Sequence, residues 1–259
     1  RRRRLPEDRL HARAAQAARI PGARWMLAGI AGWLAWAFVG GFSLAAAGAR
    51  GDSGPSLSAG AWMMVPAYLA GLGAVVAALW TVRAHTAPLV ALRRSHLRDG
   101  AVACLLGLPI ALAVGTLTFL AAHLLSRLTG APPPGEVAHG TLEQILAERE
   151  SAGLSWWLLP VALQVVVLAP LFEEVVYRGC VQSALLSVTG RTWPAAILAS
   201  MLFSLVHVGA TPWHALPTLF MVGLTCALLV ERSGRIWPAV AFHAAFNGVN
   251  LGLALASAG

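Results

Sequence analysis

The chain has 259 residues, of which 58% are hydrophobic and only 12% are charged, and its mean hydropathy is +0.68. A soluble domain usually carries about 25% charged residues, so this composition excludes an ordinary soluble protein and predicts a polytopic helical membrane protein. All 19 basic residues are arginines, and they cluster at the N-terminus and in particular loops. That distribution favours an orientation signal in contact with a lipid bilayer, and it indicates no nucleic-acid partner.

The chain begins with a basic arm, residues 1–24, which we predict to be cytoplasmic. Seven hydrophobic segments follow, at 25–48, 59–82, 101–126, 154–178, 193–208, 213–231 and 236–257. The fifth and sixth are short, and Pro212 and Pro217 interrupt that region, which allows a broken or re-entrant helix. We therefore predict an all-α transmembrane helical bundle of about seven spans. Residues 25–126 would form scaffold helices, 127–153 an extracytoplasmic loop and 154–257 the functional core.

The arginine content of the short loops predicts the orientation. The arm is basic, residues 83–100 contain four arginines, and residues 127–153 are acidic on balance. This alternation puts the N-terminus in the cytoplasm and the C-terminus outside. The fourth segment then runs inward, so we expect its polar end to lie toward the cytoplasmic leaflet.

Two adjacent glutamates and an arginine stand at the end of the fourth segment. Ionisable groups in hydrocarbon are expensive, so by default they mark a functional site. Glu174 and Arg178 are four residues apart and share a helix face, with the glutamate N-terminal, as an ion pair prefers. Glu173 lies about 100° further round the helix. The spacing predicts that Arg178 holds Glu174 and leaves Glu173 free for chemistry; a topology-fixing charge cluster at the membrane edge is the alternative.

Polar residues also interrupt the fifth and seventh segments. Phe203 and His207 are four residues apart, as are His243 and Asn247, and Asn250 continues the face of the latter pair. Polar groups facing lipid are unfavourable, so these faces should turn inward. Each motif alone is also explained by a satisfied packing histidine or by interhelical hydrogen bonds.

The depths of these groups along their helices agree only in part. At about 1.5 Å per residue, Glu173 lies about 7–8 Å inward from Arg178. His207 lies 16 residues after Arg191, about 24 Å if the helix is straight. The two would therefore meet only if the fifth segment started late or were bent.

The ordered set Glu-Glu-x-x-x-Arg, Phe-x-x-x-His and His-x-x-x-Asn on successive membrane helices resembles the CPBP family. This family of intramembrane endopeptidases comprises CAAX proteases and bacteriocin-processing enzymes, is also called Abi, and includes the type II CAAX prenyl endopeptidase. The resemblance covers about residues 154–257, which would be a catalytic core. Residues 1–153 resemble the family only in being membrane helices.

This resemblance implies hydrolysis of a peptide bond by an activated water. Glu173 would be the general base, assisted by His207, while His243 and Asn247 would bind the oxyanion of the tetrahedral intermediate. Three further matched residues would support the site. Glu174 and Arg178 would form a structural pair, and Phe203 would line the site. The implied substrate is a membrane-associated peptide or protein, prenylated or not.

Three alternatives to a cofactor-free protease stay open. In a zinc-dependent version, Glu173, His207 and His243 would be the ligands, but the chain contains no HExxH motif. A non-catalytic immunity or regulatory protein could use the same fold for binding. A transporter would spread polar residues through both halves of the chain, whereas the first two segments carry almost none. The all-arginine chain further suggests a prokaryotic plasma membrane.

Overall fold

The computed structural model describes residues 13–48, 56–91, 94–130, 132, 140–153 and 155–257. Residues 1–12 of the predicted arm, 131 and 133–139 of the predicted loop, and 154 of the predicted core lie outside the described residues. The described part of the chain is helical and contains no β-strand, which confirms the all-α prediction. Its helices are α1 Gly22–Gly48, α2 Leu57–Val90, α3 Arg94–Thr129, α4 Gly140–Ala152, α5 Leu158–Thr189, α6 Thr192–Leu205, α7 Leu216–Ser233 and α8 Trp237–Ser257.

Six helices in the described residues are long and apolar enough to cross a membrane. They correspond to the predicted segments except the fifth, where α6 has 14 residues and is about 21 Å long, shorter than a bilayer core of about 30 Å. The sixth is two residues longer than predicted, because α7 continues to Ser233, and with the short turn at Trp213–Ala215 the span has 21 residues. Since α6 and α7 form an antiparallel hairpin, both ends of the hairpin face the same side, and the predicted orientation is unchanged.

The boundary predicted for the fourth segment is wrong. The apolar helix does not end at Arg178 but continues to Thr189, where Gly190 at φ 63° terminates it. Arg178 is fully buried, so it is no marker of the membrane edge, and the depth of Glu173 estimated from it is also wrong. Glu173 lies 16 residues before Thr189, about 24 Å from that helix end. His207 is equally far from Arg191, so the two residues reach the same depth without a late start or a bend in α6.

Helices α1 and α2 pack against each other and against α5, whereas α3 packs on α7 and α8. The first contact depends on small residues, because a Cβ at Gly71 would lie 2.9 Å from Gly32 O. Phe172 of α5 is buried there, stacked on Trp36 with ring centroids 6.0 Å apart and edge-on to Trp33 at 5.4 Å. These contacts fix the face that α5 turns toward the remaining helices.

A buried ion pair joins the end of the predicted arm to the bundle. Arg13 Nε lies 3.9 Å from Glu231 Oε1 on α7, and Arg13 Nη2 donates to Ser183 Oγ on α5 at 2.7 Å. Gln182 Nε2 also donates to Glu231 Oε1, at 2.8 Å. Burial lowers the pKa of Arg13, and the Glu231 carboxylate opposes that shift. The last residues of the arm are therefore part of the folded core.

We expect Arg13→Ala to destabilise the bundle, because it leaves the Glu231 carboxylate buried without its cation. Removing one partner of a buried ion pair costs about 3–5 kcal/mol, here reduced by the bond from Gln182. The midpoint of thermal unfolding in detergent should fall, and Arg13→Ala combined with Glu231→Gln should recover most of the loss. Arg19→Ala, at an exposed position, is the control. Equal midpoints for Arg13→Ala and Arg19→Ala would contradict the expectation.

Candidate active site

The two glutamates lie in a helix that is interrupted on both sides. Ala169–Glu174 is an α-helical stretch of α5 between wider π-helical turns at Gln164–Leu168 and Val175–Val181. Pro170 has no N–H to donate, which accounts for a break in the regular hydrogen-bond ladder before the glutamates. Such π-turns are frequent at functional sites.

Glu174 is fully buried and held from two sides. Its Oε2 lies 3.1 Å from Arg178 Nε, and its Oε1 lies 2.9 Å from His243 Nδ1 on α8. The guanidinium of Arg178 also lies 5.1 Å from the ring centroid of Phe203, a cation–π contact. The pair expected from the i, i+4 spacing is thus present, in the interior of the bundle and not at a membrane edge.

His243 lies between the two glutamates. Because a carboxylate can only accept, Nδ1 donates to Glu174, and Nε2 is the ring nitrogen that faces Glu173, 3.8 Å from its Oε2. The Glu173 side chain keeps 19% of its surface exposed, whereas the Glu174 side chain keeps none. The two neighbouring carboxylates therefore differ as the spacing suggests, with Glu173 the accessible one. The contact between Glu174 and His243 was not foreseen.

His207 follows the C-terminus of α6, and its Nδ1 lies 2.7 Å from Phe203 O. A carbonyl oxygen accepts, so Nδ1 carries the proton, and Nε2 is the remaining ring nitrogen. The ring of Phe203 is fully buried at the centre of the site, 5.0 Å from the His207 ring and 5.5 Å from the His243 ring.

The asparagines of α8 both hydrogen-bond to main-chain carbonyls. Asn247 Nδ2 donates to Val165 O at 2.9 Å, within the first π-turn of α5, and Asn250 Nδ2 donates to Phe246 O at 2.8 Å on its own helix. An amide nitrogen has two N–H groups, so one of them on Asn247 is left for a further acceptor.

A cavity of about 470 Å³ brings these residues together. Phe203 lines it together with all four predicted catalytic residues, Glu173, His207, His243 and Asn247. Glu174 and Arg178 are not part of the lining and lie behind the cavity wall. Sequence reasoning missed other polar residues of the lining: Tyr68, Gln164, Thr116, Thr211, His214 and Thr218. The signal was available for His214 and Thr218, which interrupt an apolar segment, but Tyr68 and Thr116 belong to helices predicted as scaffold.

The metal-ligating side chains that converge within the described residues are Glu174, Cys226 and His243, with ligand atoms within 4.8 Å of one another. These residues differ from the set predicted for zinc, and they fit a cation poorly. The Arg178 guanidinium already binds one Glu174 oxygen and adds a positive charge, while Cys226 Sγ lies 3.7 Å from Ala239 O. The donors therefore favour an ion-pair network over a metal site.

The fold and the cavity define an integral membrane protein with a polar site enclosed by its helices. Residues 155–249 match the family model described as type II CAAX prenyl endopeptidase Rce1-like. No curated protein and no solved structure gives a significant match. Residues 155–249 thus belong to the Rce1-like group of the CPBP, or CAAX protease, family. The family indicates a protease, that is a peptide hydrolase, in a lipid bilayer.

Proposed function

We propose that the protein is an intramembrane endopeptidase that hydrolyses a peptide bond of a membrane-associated peptide or protein, using a water activated by Glu173 and His207. The observation that carries the proposal is the contrast between the glutamates. Glu174 is closed off by Arg178 and His243, while Glu173 faces a cavity of about 470 Å³ that His207, His243 and Asn247 also line.

In the proposed reaction, Glu173 takes a proton from a water as the water oxygen attacks the substrate carbonyl. His207 Nε2 orients that water, because Nδ1 is committed to Phe203 O. The carbonyl becomes a tetrahedral oxyanion. When the C–N bond breaks, Glu173 returns the proton to the leaving nitrogen, so that one carboxyl and one amine terminus form.

The oxyanion would be bound by the second N–H of Asn247 and by His243. His243 can donate from Nε2 only as an imidazolium, because its Nδ1–H is bound to Glu174. The charges then balance, since two glutamates face Arg178 and a charged His243. Preorganised donors of this kind in a dry site are among the strongest catalytic contributions of an enzyme.

The test is cleavage of a membrane-embedded peptide library by the purified full chain, with and without a chelator, beside Glu173→Ala. We expect cleavage by the wild type that survives chelation and disappears in Glu173→Ala. Loss on chelation with recovery by added zinc would favour the zinc-dependent version. Identical behaviour of wild type and Glu173→Ala on every peptide would favour the non-catalytic binding protein.

Asn247→Leu is expected to lower kcat by about 10²- to 10³-fold, as loss of one oxyanion donor does, with a smaller change in KM. Asn250→Leu is the matched control, because Asn250 lies one turn later on α8, also lines the cavity and is bonded to its own helix. Steady-state kinetics on the best library peptide measures both variants. An equal loss in the two variants would assign Asn247 to packing.

The orientation also belongs to this proposal. With a cytoplasmic N-terminus in a prokaryotic plasma membrane, the C-terminal ends of α5 and α7 face the cytoplasm, and Glu173 lies near the middle of the 32-residue helix α5. Cysteine-labelling of the loop between α7 and α8 in intact and permeabilised cells tests this arrangement. Labelling that requires permeabilisation is expected.

A further inference from the structure

A second group of polar side chains lines the cavity and has no role in the proposed chemistry. Thr211, His214 and Thr218 are each at least nine-tenths buried, with exposed fractions of 8%, 4% and 9%. Thr211 Oγ1, His214 Nδ1 and Thr218 Oγ1 have no hydrogen-bond partner among the described residues. Buried polar groups are nearly always bonded, so three such atoms on one cavity wall are suited to bind the polar groups of a ligand.

Other threonines of the bundle show what a satisfied hydroxyl looks like here. Thr225, on the same helix as Thr218, donates to Met221 O at 2.9 Å, and Thr116, on the facing helix, donates to Leu112 O at 3.0 Å. The hydroxyl of Thr218 makes no such bond. It faces Gly115 of α3, where a Cβ would lie 3.2 Å from Thr218 Oγ1, so glycine leaves room beside this hydroxyl.

The charges of the cavity indicate a neutral ligand. No arginine is among the described residues that line it, and the positive charge proposed for His243 is matched by the Glu173 carboxylate 3.8 Å away, so a free carboxylate or phosphate would lack an unpaired counter-charge. A peptide main chain is neutral and presents N–H donors and C=O acceptors that need partners once removed from water. Threonine hydroxyls can both donate and accept, and they match such groups. The apolar ring of Phe119, edge-on to His214 at 5.8 Å, continues the wall.

We propose that Thr211, His214 and Thr218 form a main-chain subsite, which binds the amide groups of an extended peptide substrate next to the bond that is cleaved. This inference rests on the proposed function. The loop after His207 carries Thr211, so the subsite and the activated water are linked by a few residues of chain. The subsite selects peptides whose main chain is free of helical hydrogen bonds over the segment that enters the cavity.

The experiment is a comparison of kcat/KM on the best-cleaved library peptide and on a series of its esters, each replacing one amide N–H by oxygen. Thr211→Val, Thr218→Val and the satisfied control Thr225→Val are assayed beside the wild type. We expect the two subsite variants to lose about five- to tenfold on the amide peptide, and Thr225→Val to lose less than about twofold. At one ester position the kcat/KM of the wild type should fall by a similar factor relative to the amide peptide. At that same position a subsite variant should show no further loss, because the bond it lacks is already absent.

A structural effect of the variants would lower kcat/KM on all esters by the same factor. The subsite is therefore overturned if, at every ester position, the loss from the variant and the loss from the ester multiply as independent effects. Wild-type kcat/KM for both subsite variants would overturn the subsite as well. If cleavage is still lost in Glu173→Ala, the proposed protease function stands without the subsite. If the wild type cleaves no peptide and Glu173→Ala behaves identically, the proposed function fails and the subsite with it. Gly115→Val, which fills the space beside Thr218, should reproduce the loss on the amide peptide.

Discussion

Glu173→Gln should lower kcat by about 10²- to 10⁴-fold, the range expected for loss of a general base. The substitution keeps the shape of the side chain and removes its ability to take a proton. Folding should change little, because Glu173 faces the cavity and its nearest charged partner, His243 Nε2, is 3.8 Å away. Turnover in nanodiscs and the midpoint of thermal unfolding measure the two effects separately.

The neighbouring glutamate is the matched control for this prediction. Glu174→Gln removes the counter-charge of Arg178 and replaces the charged acceptor of His243 Nδ1 by a neutral amide oxygen, so it should lower thermal stability as well as activity. Glu173→Gln should lower activity alone. If Glu173→Gln keeps more than about a tenth of the wild-type kcat, or if the two variants melt at the same reduced temperature, the division of roles between the glutamates is wrong.

Arg178→Met should cause the largest loss of stability in the molecule. Arg178 is fully buried, and its removal leaves the equally buried Glu174 carboxylate with His243 as its remaining ionisable partner. Breaking a buried ion pair costs about 3–5 kcal/mol, which corresponds to a fall of about 6–20 °C in the unfolding midpoint for a chain of this size.

A second variant separates charge from packing. Arg178→Met combined with Glu174→Leu replaces the pair by apolar side chains and should recover most of the stability, yet remain inactive because His243 loses its partner. Arg191→Met, at an exposed position, controls for loss of an arginine as such and should be nearly neutral. A midpoint for Arg178→Met within about 2 °C of the wild type would contradict the structural pair.

The sequence predicts those features that depend on local pattern. Apolar length and helical spacing predict the spans, the shared face of Glu174 and Arg178, and the inward faces of α6 and α8. Apolar length and spacing fail where a contact between side chains determines the end of a helix or its packing. Arg178 resembles a membrane boundary in the sequence, but its pairing with Glu174 allows α5 to continue to Thr189.

The partner of Glu174 on α8 was out of reach for the same reason. His243 is 69 residues away, and helical periodicity carries no information on which faces meet. The cavity wall shows this as well, because Tyr68 and Gly115 belong to helices whose composition reads as scaffold. Catalytic roles depend on which helix faces contact each other, so the sequence alone does not assign them.

The shortness of α6 has a consequence for the bilayer itself. Its 14 residues span about 21 Å, so the loop that follows, in which Val206 and Val208 are exposed, begins inside a hydrocarbon layer of about 30 Å. Main-chain groups of a loop at that depth must be hydrated or covered by protein. Because His207 and Thr211 of this stretch line the cavity, we expect water that hydrates the loop to reach the proposed site without crossing the full thickness of the lipid.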